Sequence, residues 1–141
     1  MAFEHSVRVY WEDTDAGGIV FYANYLKFFE RARTEWLRAL GSEQRNLKET
    51  SGGMFVVAET TVKYLRSARL DDQLQVTARL ELIGRSTLTI HQQALCSDAV
   101  LCEGSIRLCW VQSDTLKSHR IPPHLLEILQ GPKTCRSGPW C

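Results

Sequence analysis

Residues Glu12–Leu37 read EDTDAGGIVFYANYLKFFERARTEWL. The stretch opens on three carboxylates, Glu12, Asp13 and Asp15, followed by Gly17 and Gly18, and then changes to a helical period. Tyr22, Tyr25, Leu26, Phe29, Ala32, Trp36 and Leu40 recur at three- and four-residue steps, which predicts an amphipathic helix over Phe21–Leu40 ended by Gly41. Arg31 and Glu35 would form an i,i+4 pair on its outer face. Upstream, Val7, Val9 and Trp11 alternate with Arg8 and Tyr10, so a strand is predicted over Ser6–Glu12. The carboxylates and glycines therefore fall at a strand-to-helix junction, where the unpaired backbone N–H groups of a helix start can face a reactive group.

Beyond a polar connector, SEQRNLKETSGG, the period becomes two. Met54, Val56, Ala58, Val62 and Tyr64 share one parity; so do Leu74, Val76, Ala78, Leu80 and Leu82, then Leu88, Ile90, Ala94 and Cys96, then Val100, Cys102, Ile106, Leu108 and Trp110. Four strands, each with one buried face, are predicted. Leu70-Asp71-Asp72, Gly84-Arg85-Ser86 and Ser97-Asp98 separate them, turns short enough to make the neighbours antiparallel. Pro122 and Pro123 open a last short helix, HLLEIL. Residues 131–141, GPKTCRSGPWC, carry turn residues without periodicity and are expected to be a disordered tail. The expectation is an α+β fold, one domain over residues 1–130, in which a single long helix covers the apolar face of a five-stranded antiparallel sheet.

A chain of 141 residues buries on the order of 70% of the surface its unfolded form exposes, so its core needs no disulfide or metal. Seventeen basic and 16 acidic residues leave a formal net charge of +1, which gives no global field to gather nucleic acid or an anionic membrane. The N-terminus, MAFEHSVRVYWED, has no basic segment followed by an apolar run, and no stretch approaches the ~18 apolar residues of a membrane span. A cytoplasmic location is expected. Cys96, Cys102, Cys109, Cys135 and Cys141 form no CxxC pair and no zinc spacing, so reduced thiols are expected, the first three as small hydrophobes in strands. GxGxxG, GxxxxGKS/T and GxSxG are all missing, which argues against dinucleotide, P-loop and serine-hydrolase chemistry.

Asp13-Thr14-Asp15-Ala16-Gly17-Gly18 has the opening of a calcium loop. Its fifth position is Gly17 and its twelfth Asn24, so the third oxygen ligand and the bidentate glutamate are both missing. Two readings of Asp15 stand: a cap for the first turn of the helix, or a reactive carboxylate beside it.

The same residues, together with FVVAETTVKYLRSARLDDQLQV from Phe55 to Val76, resemble the signature of the hot dog-fold acyl-CoA thioesterases. The resemblance is to the 4-hydroxybenzoyl-CoA thioesterase type and, within it, to the branch associated with the bacterial Tol-Pal system. It implies a sheet wrapped around the long helix, a homodimer or homotetramer, and acyl-CoA bound at a subunit interface, with no cofactor beyond the coenzyme A of the substrate. It further implies that Asp15 is catalytic and that the N–H of Tyr22, at the helix start, polarises the thioester carbonyl. The branch often carries histidine where this chain has Tyr22, so the backbone role carries over and a side-chain role does not. Envelope or lipid-synthesis partners follow from the resemblance alone.

Thioester hydrolysis needs a group that attacks or activates water and a donor for the oxygen that becomes negative. A carboxylate and a helix N-terminus, with about half a positive charge, supply both. Gly17 and Gly18 would let the thioester approach the backbone, and Asp15 would act as nucleophile or as general base. Glu59 interrupts an apolar-and-threonine strand at the parity opposite its apolar face and is expected in solvent, although some hot dog enzymes place a carboxylate nearby. Lys63, Arg66, Arg69 and Arg85, at strand ends or turns, are candidates to meet the phosphates of coenzyme A. His5, His91, His119 and His124 form no spaced pair, and Tyr10, Trp36 and Trp110 suit core or interface packing. The expected function is acyl-CoA thioester hydrolysis. The alternatives are a non-catalytic acyl-CoA-binding or interaction module of the same fold, and a hydroxyacyl-thioester dehydratase, which wants a histidine that only His5 could supply.

Overall fold

The computed structural model describes residues 3–41 and 49–130; the tail 131–141 and most of the connector after the long helix lie outside the described residues. The chain runs through β1 (Phe3–Arg8), a single 3-10 turn (Trp11–Asp13), α1 (Asn24–Ala39), β2 (Gly53–Tyr64), β3 (Gln73–Ile83), β4 (Thr87–Cys96), β5 (Ala99–Gln112) and α2 (Pro123–Gln130). The strands form one antiparallel sheet in the order β1-β3-β4-β5-β2. The fold is the expected α+β hot dog arrangement, with α1 against β1, β3 and β4. Among the described residues no helix is long and apolar enough to cross a membrane.

Both borders of the strand-to-helix junction differ from the periodicity. The first strand stops at Arg8 rather than Glu12, because Trp11–Asp13 turns into a 3-10 helix and Asp13 Oδ2 accepts the Tyr10 N–H at 2.8 Å. Trp11 is thereby turned out to solvent, 76% exposed. At the other border Phe21–Ala23 forms a turn closed by the Asn24 N–H on the Phe21 carbonyl at 2.8 Å, so α1 begins at Asn24 and not at Phe21. Its buried stripe is Tyr25, Phe28, Phe29, Ala32, Arg33, Trp36 and Leu37, which leaves Tyr22 and Leu26 exposed. Glu35 pairs with Arg38 rather than Arg31, and Arg31 lies 6.0 Å from the Phe28 ring centre.

Three register shifts break the strict alternation among the described strands; the one between Ala94 and Leu95 in the β4–β5 pairing puts Leu101, not Val100, into the core beside Cys102. In β2 the register shifts between Val57 and Glu59, so Phe55 and Val57 oppose Trp110 and Leu108 while Val62 and Tyr64 oppose Gly104 and Cys102. Phe55, not Met54 or Val56, joins the core, and its ring meets Trp110 at 5.0 Å. In β3 the shift between Leu80 and Leu82 turns Leu82 out, 65% exposed, and Ile83 in. Of the strand cysteines only Cys102 is fully buried; Cys96 and Cys109 are half-buried. Burial, with Glu103 adding to it, pushes the Cys102 thiol up to about 12.

One polar pair sits inside the core. Gln92 of β4 is fully buried; its amide donates to the carbonyls of Phe29 and Thr77 at 3.0 Å each, and its Oε1 accepts Arg33 Nη1 at 2.8 Å. Burial draws the Arg33 guanidinium below its ordinary value, and the Glu30 carboxylate one turn earlier partly offsets this. Helix and sheet are thus tied by hydrogen bonds as well as by apolar contact.

Gly104 marks the closest approach of β5 to β2, since a Cβ there would lie 2.6 Å from the Thr61 carbonyl oxygen. Gly104→Ala is expected to destabilise the protein by about 1–3 kcal/mol in urea unfolding. Cys102 is expected to resist iodoacetamide at neutral pH in the folded protein and to react once the protein is denatured, as peptide mass spectrometry would read.

Candidate functional site

Asp13 builds the frame of the site. Its side chain is buried, and its carbonyl accepts the Phe21 N–H at 3.0 Å and the Asn24 side-chain amide at 2.9 Å. Between these anchors Thr14 bridges Val20, the Asp15 N–H reaches the Ile19 carbonyl at 2.9 Å, and the Gly18 N–H returns to the Asp15 carbonyl at 3.0 Å. Gly18 takes φ +78°, in the left-handed region where a side chain is strained. The loop is held to the segment after β2 by the Ile19–Arg69 bridge and by the Val20 N–H on the Ala68 carbonyl at 2.9 Å. The Ala68 N–H in turn donates to the Tyr25 hydroxyl at 2.9 Å. That hydroxyl is held above its ordinary value, mainly by burial.

Asp15 does not cap the helix. Its Oδ1 accepts the N–H of Gly17 at 2.8 Å, and the N-cap position of α1 is Ala23, which offers no side-chain bond. The first turn of α1 has no acidic residue. The chain therefore leaves the positive end of its main helix without a carboxylate in that turn, a place where an incoming negative charge is stabilised. Tyr22 lies two residues before α1, and among the described residues its N–H has no acceptor.

Asp15 and Tyr22 line the same cavity, about 350 Å3 in volume. Phe21, Tyr25, Tyr64 and Arg66 complete much of its wall. The rings are mutually packed: Tyr22 meets Phe21 at 4.8 Å and Tyr64 at 6.0 Å, and Tyr64 meets Tyr25 at 5.8 Å. The backbone N–H groups of Leu65 and Arg66 both donate to the Leu101 carbonyl, which fixes the far wall to β5. The result is an aromatic recess with an exposed carboxylate at its side.

The other residues singled out by sequence fall in three places. Gly17, Gly18 and Arg69 belong to the loop or bridge it. Lys63 lies with Thr61, His91 and Glu103 around a separate recess, and Glu59 is exposed and paired with Arg107 at 3.2 Å. Arg85 sits in the β3–β4 turn, where its carbonyl accepts the Ile121 N–H. None of the four histidines lines the Asp15 cavity. In the sequence Tyr25 and Tyr64 stand only as parts of apolar faces; their role as cavity wall depends on the pairing of β2 with β5, which periodicity does not reveal.

The thioesterase-like superfamily matches residues 9–129 of the chain. Over 120 residues the chain is 38% identical to the acyl-CoA thioesterase YbgC of Haemophilus influenzae, covering 85% of this chain and 88% of that one. The acyl-CoA thioester hydrolase YbgC of Escherichia coli is 36% identical over 125 residues, 88% of this chain and 92% of its own. A solved structure of a hypothetical protein from Aquifex aeolicus superposes with a TM-score of 0.85 at 31% identity, covering 90% of this chain and 98% of that chain. With an Asp-x-Gly-Gly loop entering a helix packed on a five-stranded antiparallel sheet, and a match over nearly its whole length, the chain belongs to the thioesterase-like superfamily.

Proposed function

We propose that the protein hydrolyses acyl-CoA thioesters to a carboxylic acid and coenzyme A, with Asp15 as the reacting carboxylate and the Tyr22 N–H as donor to the thioester oxygen. The observation that carries this reading is the shared cavity: it is lined by Asp15, whose carboxylate is exposed, by Tyr22, whose N–H has no acceptor among the described residues, and by an aromatic wall, close to the start of α1. The printed activities of the Haemophilus and Escherichia relatives support the reaction class.

In the reaction the thioester carbonyl gains negative charge on oxygen, and an N–H donor in a site sheltered from water stabilises it. Asp15 then has two courses. It can attack the carbonyl carbon, expel the coenzyme A thiolate and leave an anhydride for water to open; or it can take a proton from a water that attacks instead. Its bond to Gly17 orients one carboxylate oxygen and leaves the other without a partner among the described residues. Gly17 has little room for a side chain, since a Cβ would stand 3.3 Å from Asp15 Oδ1. Arg66 on the cavity wall and Arg69 beside the loop are the nearest candidates for the phosphates of coenzyme A. Assembly as a homodimer or homotetramer belongs to the same reading: Val57, Tyr64 and Leu65 leave apolar area exposed along β2 and just past its end.

Release of coenzyme A thiol should be measured over acyl-CoAs of varied chain length and aromaticity. Asp15→Asn is expected to lower the rate by about 10²- to 10⁴-fold, and a folded variant that keeps most of its rate would sink the assignment. Tyr22→Phe is expected to be mild, because the backbone donor is unchanged; a loss of about a hundredfold would place the hydroxyl in the reaction instead.

A further inference from the structure

Tyr25 stands in the first turn of α1, three residues after Tyr22, and both line the Asp15 cavity. Three residues make nearly one helical turn, so the two lie on one side, and a tyrosine there leans back toward the helix start. Its hydroxyl is held in place by the Ala68 N–H, which donates to it at 2.9 Å. A short relay joins that point to the loop of Asp15: the Ala68 carbonyl accepts the Val20 N–H, and the carbonyl of neighbouring Ile19 accepts the Asp15 N–H, both at 2.9 Å. Ile19 and Val20 line the cavity too, as do Arg66 and Ser67 just before Ala68. The hydroxyl is thus set between the Tyr22 turn and the Asp15 loop.

The Ala68 bond uses only the accepting side of the oxygen. A phenol also carries one O–H donor, and among the described residues that proton meets no acceptor. The oxygen has its partner; its proton does not. The side chain is only 2% exposed, and a donor so enclosed gains more from an arriving acceptor than one in open water does. Burial raises the phenol above its ordinary value, with Cys102 and Asp72 adding to this against the Ala68 bond, so the proton is in place at neutral pH. The oxygen of a thioester gains negative charge when its carbonyl carbon is attacked and gives it back when the thiolate leaves. One backbone N–H meets only one of that oxygen's lone pairs.

We propose that the Tyr25 hydroxyl is a second donor to the thioester oxygen, beside the Tyr22 N–H. The proton stays on Tyr25 throughout, and it serves equally whether Asp15 attacks the carbonyl or activates water. The proposal rests on the hydrolytic reading of the cavity and adds to it a catalytic residue whose part is separable from that of Asp15.

Three measurements on the full-length protein test it. Tyr25→Phe is expected to lower kcat about a hundredfold with KM nearly unchanged, because the bond strengthens only as charge develops. A fluorotyrosine in place of Tyr25 keeps the oxygen for Ala68 but lowers the phenol pKa. Its kcat is expected to survive at neutral pH, and the alkaline limb of its pH profile to move to lower pH, since a phenolate cannot donate. A ketone analogue of acyl-CoA, with a methylene in place of the thioester sulfur, binds without being hydrolysed. The stretching frequency of its isotope-labelled carbonyl is expected to rise in Tyr25→Phe and to fall with the fluorotyrosine, a stronger donor. The proposal is overturned if a folded Tyr25→Phe keeps its kcat, if the alkaline limb of the fluorotyrosine protein stays in place, or if the analogue does not bind or its band is the same in all three proteins. The fluorotyrosine retains every contact of Tyr25, so limb and band are readable even where Tyr25→Phe does not fold. If the wild type releases no thiol from any acyl-CoA, the hydrolytic reading fails by itself and the carbonyl band alone decides on Tyr25.

Discussion

Asp13 carries the junction on which the site depends. Its carboxylate holds the Tyr10 N–H, and its carbonyl holds both the Phe21 N–H and the Asn24 amide. The chain thus leaves β1, runs out through the glycine loop and comes back to the same residue before α1 starts. Hydrogen bonds to an ionised, buried acceptor are among the stronger ones, because water does not compete for it. Two neighbouring aspartates are therefore divided in their work. Asp13 is spent inside the protein on geometry, and Asp15 is left in solvent with one backbone bond.

Much of this architecture is legible in the sequence because burial on one face imposes a period. Most of the stripe of α1, the inward row of β4 and most of the inward rows of β3 and β5 follow from that alone. What stays hidden is whatever the period does not control. A bulge adds a residue without changing composition, so the inversion within β2 and the outward turn of Leu82 leave no mark on a hydrophobicity pattern. The helix border is masked because Phe21 and Tyr22 fit the apolar repeat yet form the turn before it.

The candidate site was legible in one of its two parts. Asp15, Gly17, Gly18 and Tyr22 are contiguous, and the local chemistry of a carboxylate beside glycines can be read in a line. Tyr64 and Arg66 join them only through strand pairing, and the placement of Lys63 and Glu59 away from the cavity follows from the same register. Arg33 and Gln92 did leave a signal. Arg33 falls on the stripe between Phe29 and Trp36, and Gln92 falls on the inward parity between Ile90 and Ala94. Two polar residues at core positions on facing elements are the pattern of a buried pair, and charge alone disguises it as surface.

The bulge in β2 has a consequence for how many interiors a single strand can serve. Under strict alternation Phe55 and Tyr64, nine positions apart, would point to opposite sides of the sheet. With the extra residue they share a side, so the same strand furnishes Phe55 and Val57 to a recess between α1 and the sheet that Arg33 also lines, and Tyr64 to the Asp15 cavity. A deletion of Ala58 would therefore not simply shorten the strand. It would rotate one of its halves, and one of the two chambers would lose its wall.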